Sequence, residues 1–349
     1  MAYTTIDKST DYFNSVFYTG NGSASTALTT GTFQPDFCWF KNRGTVEGHV
    51  LINAVNGASF DVSSSSTRAQ TNVPDKVSAF TSTGVTLGGS AETNENNEPL
   101  LAWAWKANGS GSSNTNGSIN TIKTSASTAS GFSVGTWTGN GSASTIGHGL
   151  GVAPAVVMVK NTSEVYGWQV YHQAIGATKY IALNDADSEQ TSSQSWNNTA
   201  PTSTVFTVGA SDSNNKNGNV ILFYAFSEIQ GYSKFSSYKG NGNNDGTYTY
   251  LGFKPAFLIV RRVDSGNSWY MYTGKTSTSG GNLTDKYLEA NANSVEATTT
   301  GEYGFDFLSN GFKATGTGGG TNNASGTYVY LAFAENPFVT STAIPTPAK

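Results

Sequence analysis

The side chains that could do chemistry are few, and none of them recurs at matching places along the chain. The three histidines are His49, His148 and His172, and none has a second metal ligand at helical or hairpin spacing. Because a zinc site needs three or four ligands, we expect no metal and no cofactor. The acidic stretch 185–189 lacks the glycine and ligand spacing of a calcium loop, so we expect a solvated turn there.

Cleavage of a glycosidic bond would need two carboxylates that face each other across a cleft. The chain has 23 acidic residues, and the sequence does not select a pair among them. The carboxylates that nothing excludes are Asp36, Glu47, Glu164, Asp264 and Glu335. No nucleophile elbow of the Gly-x-Ser-x-Gly type is evident. The sequence therefore predicts no catalytic residue and no enzyme.

Sugar binding fits the residue types better than catalysis does. Sugar sites commonly set an exposed Trp or Tyr face against C–H groups and surround it with Asn, Asp and Ser partners. Trp196 stands in a polar loop without a counterpart elsewhere in the chain and is followed by Asn197. We predict a ligand contact at Trp196 and Asn197, with Tyr166 as a further candidate. The alternative is that Trp196 only packs its own loop.

The composition excludes several classes of partner. Charged residues make up 12% of the chain and the net charge is −4, and no basic cluster is present to neutralise phosphates, so nucleic acid is not expected. No apolar run approaches the roughly 20 residues that cross a bilayer, and the start lacks the features of a signal peptide. The composition predicts a surface of hydroxyls and amides, which is typical of extracellular proteins, yet the chain shows no secretion signal. A virion protein combines both features, because it is made in the host cytoplasm and released by lysis.

The elements that must position these residues come from a repeat that occurs three times. The sequence YTGNGS at 18–23 returns as WTGNGS at 137–142 and as YKGNGN at 238–243. Seventeen residues after each opening aromatic comes a proline, at Pro35, Pro154 and Pro255. Such a repeat defines the architecture. Because each unit holds about 100 residues, near the usual size of a domain, we predict three tandem domains.

Each repeat has the pattern of β structure. The apolar runs that close the repeats, at 100–106, 220–228 and 328–335, are rich in β-branched and aromatic residues. Turn residues are dense, and one helical turn within 192–197 is the most that the pattern allows. The sequence predicts an all-β protein of three tandem β-sandwiches, jelly-roll-like in type. We expect a buried interior position for Trp39, Trp103, Trp105, Trp168, Phe223, Trp269 and Phe333.

The predicted organisation has four parts. Repeat 1 occupies 1–109, a linker and repeat 2 occupy 110–230, repeat 3 occupies 231–339, and a Pro-containing tail occupies 340–349. Within the second part, the stretch 119–134 is expected to add an edge strand. The single cysteine, Cys38, excludes an internal disulfide and is expected to be a small buried hydrophobe.

Further segments carry a family resemblance. They are TTID at 4–7, GATKY at 176–180, LGFKPAF at 251–257 and AFAENPF at 332–338. Together with the repeated GNG motif they resemble a domain of uncharacterised function that is repeated in marine bacteriophage and cyanophage proteins. The resemblance covers residues 3–338 and implies a tail-fibre-like protein of the virion surface, but it brings no catalytic residues. Repeat 1 departs from the pattern, because it lacks the closing glutamate.

These observations predict a phage structural protein on the particle surface, namely a short tail fibre or adhesin that contacts a host surface glycan. Its expected partners are other virion proteins of the tail or capsid, and we expect a homo-oligomer, although no heptad specifies three chains. The alternative is a head decoration or fibre-anchoring protein without a ligand. A polysaccharide depolymerase is the least favoured, because the period of a β-helix is absent.

Overall fold

The computed structural model describes residues 3–274, 276, 282–299 and 301–345, and it confirms the all-β class. In this part of the chain the helices are single turns. They are a 3₁₀ turn, Ser9–Asp11, and three short α-helices: α1 (Ala91–Asn94), α2 (Ser193–Trp196) and α3 (Asp212–Asn215). The helical turn allowed within 192–197 is α2, whereas the turns α1 and α3 were not predicted.

Repeat 1 forms one large and one small antiparallel sheet. Its strands are β1 (Phe13–Thr19), β2 (Thr26–Thr29), β3 (Phe37–Asn42), β4 (Val50–Asn53), β5 (Gly57–Val62), β6 (Thr71–Asn72), β7 (Val77–Thr81), β8 (Gly84–Leu87) and β9 (Pro99–Trp105). The large sheet has the order β1-β9-β3-β4-β5-β6, and the small sheet has the order β2-β8-β7.

Repeat 2 follows the same plan with an added edge. Its strands are β10 (Lys123–Ser127), β11 (Phe132–Thr138), β12 (Ser144–Gly147), β13 (Val156–Asn161), β14 (Gln169–His172), β15 (Lys179–Tyr180), β16 (Gln190–Thr191), β17 (Val205–Val208) and β18 (Val220–Phe226). The large sheet has the order β10-β11-β18-β13-β14, and two short sheets, β12-β17 and β15-β16, accompany it. The edge strand predicted within 119–134 is β10.

Repeat 3 has the same two layers. Its strands are β19 (Ser233–Lys239), β20 (Tyr248–Tyr250), β21 (Phe253–Arg262), β22 (Trp269–Thr273), β23 (Leu283–Thr284), β24 (Lys286–Glu289), β25 (Ala297–Thr298), β26 (Phe305–Leu308), β27 (Gly311–Ala314) and β28 (Thr327–Pro337). The large sheet has the order β19-β28-β21-β22-β24-β25, and the small sheet has the order β20-β27-β26-β23.

The three large sheets meet in one common core. Alternate residues of each large sheet belong either to a cluster within their own repeat or to this common core, because side chains alternate between the two faces of a strand. Trp105, Phe226 and Phe333 hold the same place in the three closing strands. Their ring centroids are 6.3, 5.6 and 5.8 Å apart in pairs. The predicted buried aromatics are all buried, and so is Cys38.

Equivalent hydrogen bonds connect repeat 1 to repeat 2, repeat 2 to repeat 3 and repeat 3 to repeat 1. Equivalent residues donate a backbone N–H to the next repeat each time: Gln70 to Thr162, Glu189 to Val263 and Glu296 to Arg43, over 2.9, 2.9 and 3.0 Å. Equivalent rings link the repeats in the other direction: His49 to Glu289 O, Trp168 to Ser63 O and Trp269 to Ala182 O, over 3.0, 2.8 and 2.7 Å. The repeats are therefore arranged around a pseudo-threefold axis.

The GNG motif recurs because each copy is held by one buried asparagine. In repeat 1 the Asn94 amide donates to Asn21 Oδ1, Ser23 O and Gly88 O, while its own oxygen accepts the Asn21 N–H. Asn215 and Asn322 make the same contacts with the other two copies of the motif. The motif thus has a structural role, since it ties the opening loop to the turn before the closing strand.

We expect Asn94→Ala to lower the free energy of unfolding by about 3 kcal/mol, because several backbone groups lose their buried partner together. Urea unfolding followed by tryptophan fluorescence measures this change. Asn108→Ala, at an exposed position, is the control and is expected to stay within about 0.5 kcal/mol of the wild type. Equal effects of the two substitutions would contradict the structural role of the motif.

Candidate ligand-binding site

Trp196 does not present its ring to a ligand. Its side chain is only 1% exposed and packs edge to face on Tyr171, with the ring centroids 6.0 Å apart. Trp196 is the last residue of α2, and the turn directs its indole into the local core of repeat 2. Asn197 is exposed and ends the helix in the left-handed conformation, with φ 48°. The exposed platform expected at Trp196 is therefore missing.

Tyr166 lies at the surface of repeat 2 within a polar network. Its hydroxyl donates to Asp212 Oδ2 over 3.1 Å and accepts from Lys216 Nζ over 3.0 Å. Lys216 Nζ also pairs with Glu164 over 2.8 Å, and these two partners raise the pKa of the lysine. No hydrogen bond or ring contact among the described residues joins Tyr166 to Trp196 or Asn197.

The five carboxylates that the sequence did not exclude as catalytic groups are distributed over all three repeats. Four of them form hydrogen bonds or ion pairs within the protein. Asp36 is buried, which raises its pKa, and it accepts the backbone N–H groups of Ala107 and Gly109. The ion pairs are Glu164 with Lys216, Asp264 with Arg262 and Glu335 with Lys254. For Glu47, burial followed by the charges of Glu92 and Glu95 raises the pKa. That the protein is not an enzyme stays a prediction.

The three histidines are buried, and both nitrogens of each ring have a partner. Trp39 Nε1 lies 2.8 Å from His49 Nδ1, and because an indole N–H only donates, the imidazole proton must lie on Nε2. In His148 and His172, Nδ1 likewise accepts a hydrogen bond, in each case from a backbone N–H group. Burial lowers the pKa of His49 to about 3 and that of His172 to about 4. Among the described residues, no group of His, Cys, Asp and Glu could hold a metal.

A groove at the start of repeat 3 combines aromatic and polar side chains at the surface. It encloses about 390 Å³. The N-terminal segment, the connection between β18 and β19, and the strands β19 and β20 position its lining. The lining side chains that matter here are those of Tyr3, Glu228, Gln230, Lys234 and Tyr250. We call this feature the tyrosine groove.

The aromatic wall of the tyrosine groove is set by strand alternation and by one glycine. Tyr248 and Tyr250 are 44% and 52% exposed and flank the buried Thr249 on β20, so their rings lie on the same outer face. Tyr3 donates its hydroxyl to Gly252 O over 2.7 Å. Gly252 has φ 83°, and a Cβ there would lie 2.5 Å from the Tyr3 oxygen. A side chain at position 252 would therefore displace Tyr3 from the wall.

The polar groups of the tyrosine groove are also held in place. Lys234 Nζ donates to Tyr250 O over 2.9 Å and lies 5.4 Å from the Tyr250 ring centroid. Glu228 Oε1 accepts from the Phe235 N–H over 2.9 Å and from Gln173 over 3.2 Å. Tyr3 and Tyr250 place their hydroxyl oxygens 3.4 Å apart. Burial, followed by this contact, raises the pKa of Tyr3.

This arrangement suits recognition of a polyhydroxylated ligand. An exposed aromatic face can cover C–H groups, while a fixed amine, a carboxylate and the Gln230 amide offer donors and acceptors to hydroxyls. The tyrosine groove was not among the sequence predictions, which gave Trp196, Asn197 and Tyr166 as the ligand-contact candidates. The available signal was the alternation of Tyr248, Thr249 and Tyr250, which predicts two tyrosines on the outer face of a strand.

Comparison with known proteins places the whole repeat structure in one family. A family profile described as a domain of unknown function (DUF7483) matches residues 8–337, a range that covers nearly all of the three repeats. No curated protein matches the chain. None of the described helices is long and apolar enough to cross a membrane.

Proposed function

The chain belongs to the DUF7483 family, whose function is unknown, and we propose that it is a bacteriophage protein exposed on the virion surface that binds a host surface glycan. The single observation that carries the glycan proposal is the tyrosine groove, with Tyr250 52% exposed beside Lys234 and Glu228. The phage assignment is supported by the sequence resemblance to marine phage proteins and by the low charge content of 12%.

The proposed binding mode uses the exposed face of Tyr250 as the platform for one sugar ring. Lys234, Gln230 and Glu228 then exchange hydrogen bonds with its hydroxyls. A groove of about 390 Å³ has room for one or two sugar units, so a single site would bind weakly. Many copies on one particle would convert weak sites into stable attachment, because later contacts form at a high effective concentration.

We further propose that each repeat is a jelly-roll-like β-sandwich. The support is the wrapped strand order, in which β1 pairs with β9 in the large sheet while β2 pairs with β8 in the small one. The same order recurs as β11 with β18 and β12 with β17, and as β19 with β28 and β20 with β27. Strand pairs that alternate between two layers are typical of jelly rolls.

Within the virion, the proposed role is that of a short tail fibre or adhesin. A head decoration or fibre-anchoring protein is the second candidate. It is favoured by the common core, which gathers the three repeats around one axis instead of extending them into a shaft. A homo-oligomer, which we also propose, would have to use outer surfaces, because the core is already filled by one chain.

We expect purified protein to block phage adsorption to host cells with a saturable dose, and we expect Tyr250→Ala to require a dose about tenfold higher, equal to roughly 1.4 kcal/mol of binding. The loss follows from removal of the platform ring. An array of bacterial glycans, probed with the same proteins, identifies the sugar.

The matched control is Tyr166→Ala, which removes an equally polar surface tyrosine from repeat 2. The Tyr166→Ala protein should block adsorption at the same dose as the wild-type protein. If Tyr166→Ala weakens binding and Tyr250→Ala does not, the site lies in repeat 2, as the sequence pattern predicts. Failure of the wild-type protein to block adsorption at saturating dose would exclude the adhesin role and favour head decoration.

A further inference from the structure

A second exposed tyrosine ring extends the aromatic surface of repeat 3 beyond the tyrosine groove. Tyr248 is 44% exposed, and its hydroxyl donates to Asn310 O over 3.4 Å. A Cβ built on Gly311 would lie 3.2 Å from Tyr248 Cε2, so the ring lies across this glycine on the neighbouring strand β27. The small sheet therefore supports the ring, while close to half of the side chain stays exposed to solvent.

The rings of Tyr248 and Tyr250 lean in the same direction along β20. The two residues share a face of the strand and are roughly 7 Å apart at their backbones. Asn310, which the Tyr248 hydroxyl reaches, accepts the N–H of Leu251, the residue after Tyr250. The Tyr250 hydroxyl lies 3.4 Å from the place of a Cβ on Gly252. Both rings thus point towards the end of the strand, and together they form one elongated aromatic surface.

The fold does not require these two rings, because the other repeats build the same strand without them. In repeat 1 the positions with the same strand pairing hold Ala27 and Thr29. In repeat 2 they hold Thr145 and Gly147. Exposed apolar groups that lie next to each other, unlike single ones, are typical of binding surfaces. The pair of tyrosines in repeat 3 is therefore best explained by a ligand that covers both rings.

The charges around the two rings have both signs. Lys313, on the strand beside the rings, forms an ion pair with Asp245 and lies opposite Asp306. Lys234 and Glu228 are the charged side chains of the groove. Acidic ligands are usually recognised by clustered basic side chains, and the carboxylates of this surface would repel them. The surface therefore suits an uncharged ligand.

We propose that the ligand of the tyrosine groove is a neutral polysaccharide chain bound along its length, with one sugar unit on Tyr250 and a further unit on Tyr248. This inference rests on the glycan binding proposed above and extends it from one sugar ring to a chain. The Tyr248 ring covers C–H groups of the further unit, and Lys313 and Asp306 exchange hydrogen bonds with its hydroxyls. The chain binds more tightly than one sugar, because its second contact forms within the same complex.

The test measures how affinity depends on the length of the sugar chain. Polysaccharide released from host cells is separated by anion exchange into a neutral and an acidic fraction, and the neutral fraction is partly hydrolysed and sorted by length. Each sample is titrated into the whole protein, and binding is followed by NMR signals of isotope-labelled tyrosine rings. We expect the Kd of the longer neutral chains to be about tenfold lower than that of the single sugars.

Three variants assign this gain to the second ring. Tyr248→Thr introduces the residue that repeat 2 has at this place, Thr145, and should bring the ratio of the two affinities close to one. Tyr248→Phe keeps the ring and should keep the ratio. Tyr166→Ala, in repeat 2, is the matched control and should also keep it. If Tyr248→Thr does not fold, the wild type still decides, because the Tyr248 ring signal should shift with chains and not with single sugars.

The possible failures are distinguishable. Equal affinity of the wild type for single sugars and for chains would overturn this inference and leave the groove as a site for one terminal sugar. Tighter binding of the acidic fraction would overturn the neutral class of ligand. Absence of binding by every fraction would contradict the glycan proposal itself, and this inference with it.

Discussion

Lowering the pH from 7.5 to 4.5 is expected to destabilise the fold strongly, with His49 and His172 each contributing about 2 to 3 kcal/mol to the loss. Burial lowers the pKa of these rings to about 3 and about 4, against 6.5 in the unfolded chain. Between these values the unfolded state holds more protons than the folded state. Stability therefore rises with pH in this window and is lost as the pH falls below about 6.5.

The structural reason for the low pKa of His49 is visible in its contacts. Burial dominates, and the charge of Lys41 adds to it. A second proton would have to occupy Nδ1, where the Trp39 N–H already donates over 2.8 Å. Two donors would then face each other inside the core. Buried carboxyls such as Asp36 have the opposite effect on stability. Because their pKa is raised in the folded protein, their protonation favours the folded state as the pH falls.

Urea unfolding at pH 7.5, 6.0 and 4.5 measures the effect. The matched variant is Trp39→Met combined with His49→Trp, because repeat 2 carries Met158 and Trp168 at these places. The new indole can still donate to Glu289 O, yet it does not titrate. We expect the acid sensitivity of this variant to be smaller by about 2 to 3 kcal/mol, the share of His49. Equal stability of the wild type at pH 7.5 and 4.5 would show that the buried histidines do not control it.

Replacing Trp105 by alanine is expected to cost about 3 to 5 kcal/mol and to weaken all three repeats together. The indole contacts Phe226 of repeat 2 and Phe333 of repeat 3, with ring centroids 6.3 and 5.6 Å away. A cavity at the pseudo-threefold axis removes contacts from every repeat. Calorimetry should therefore show one transition at a lower temperature. Phe60→Ala, at a position 37% exposed, is the control and should have little effect.

The same common core predicts how an excised repeat behaves. A protein limited to residues 110–230 would expose Phe132, Tyr224 and Phe226, which are buried in the common core in the whole chain. We expect it to be unfolded or aggregated, since a large apolar face would meet water. A dispersed amide spectrum from this fragment, or three separate transitions in the whole chain, would show that the repeats are independent domains.

Local pattern was sufficient for much of the secondary structure. The runs that close the repeats became β9, β18 and β28, because continuous β-branched and aromatic residues suit strands covered on both faces. The added strand β10 and the helical turn α2 were also predictable. Each of these features depends on residues close together in the chain. The two exposed tyrosines of β20, Tyr248 and Tyr250, could have been predicted in the same way.

By itself, the sequence determined that the protein is all-β, that it repeats three times and that its tryptophans at 39, 103, 105, 168 and 269 are buried. Only the tertiary structure decided that Trp196 points inward, that three large sheets share one core and that Tyr3 joins Tyr250 across 247 residues. Periodicity tells which residues share a face of a strand. It does not tell what that face meets, because contacts between distant segments depend on how the sheets pack in three dimensions.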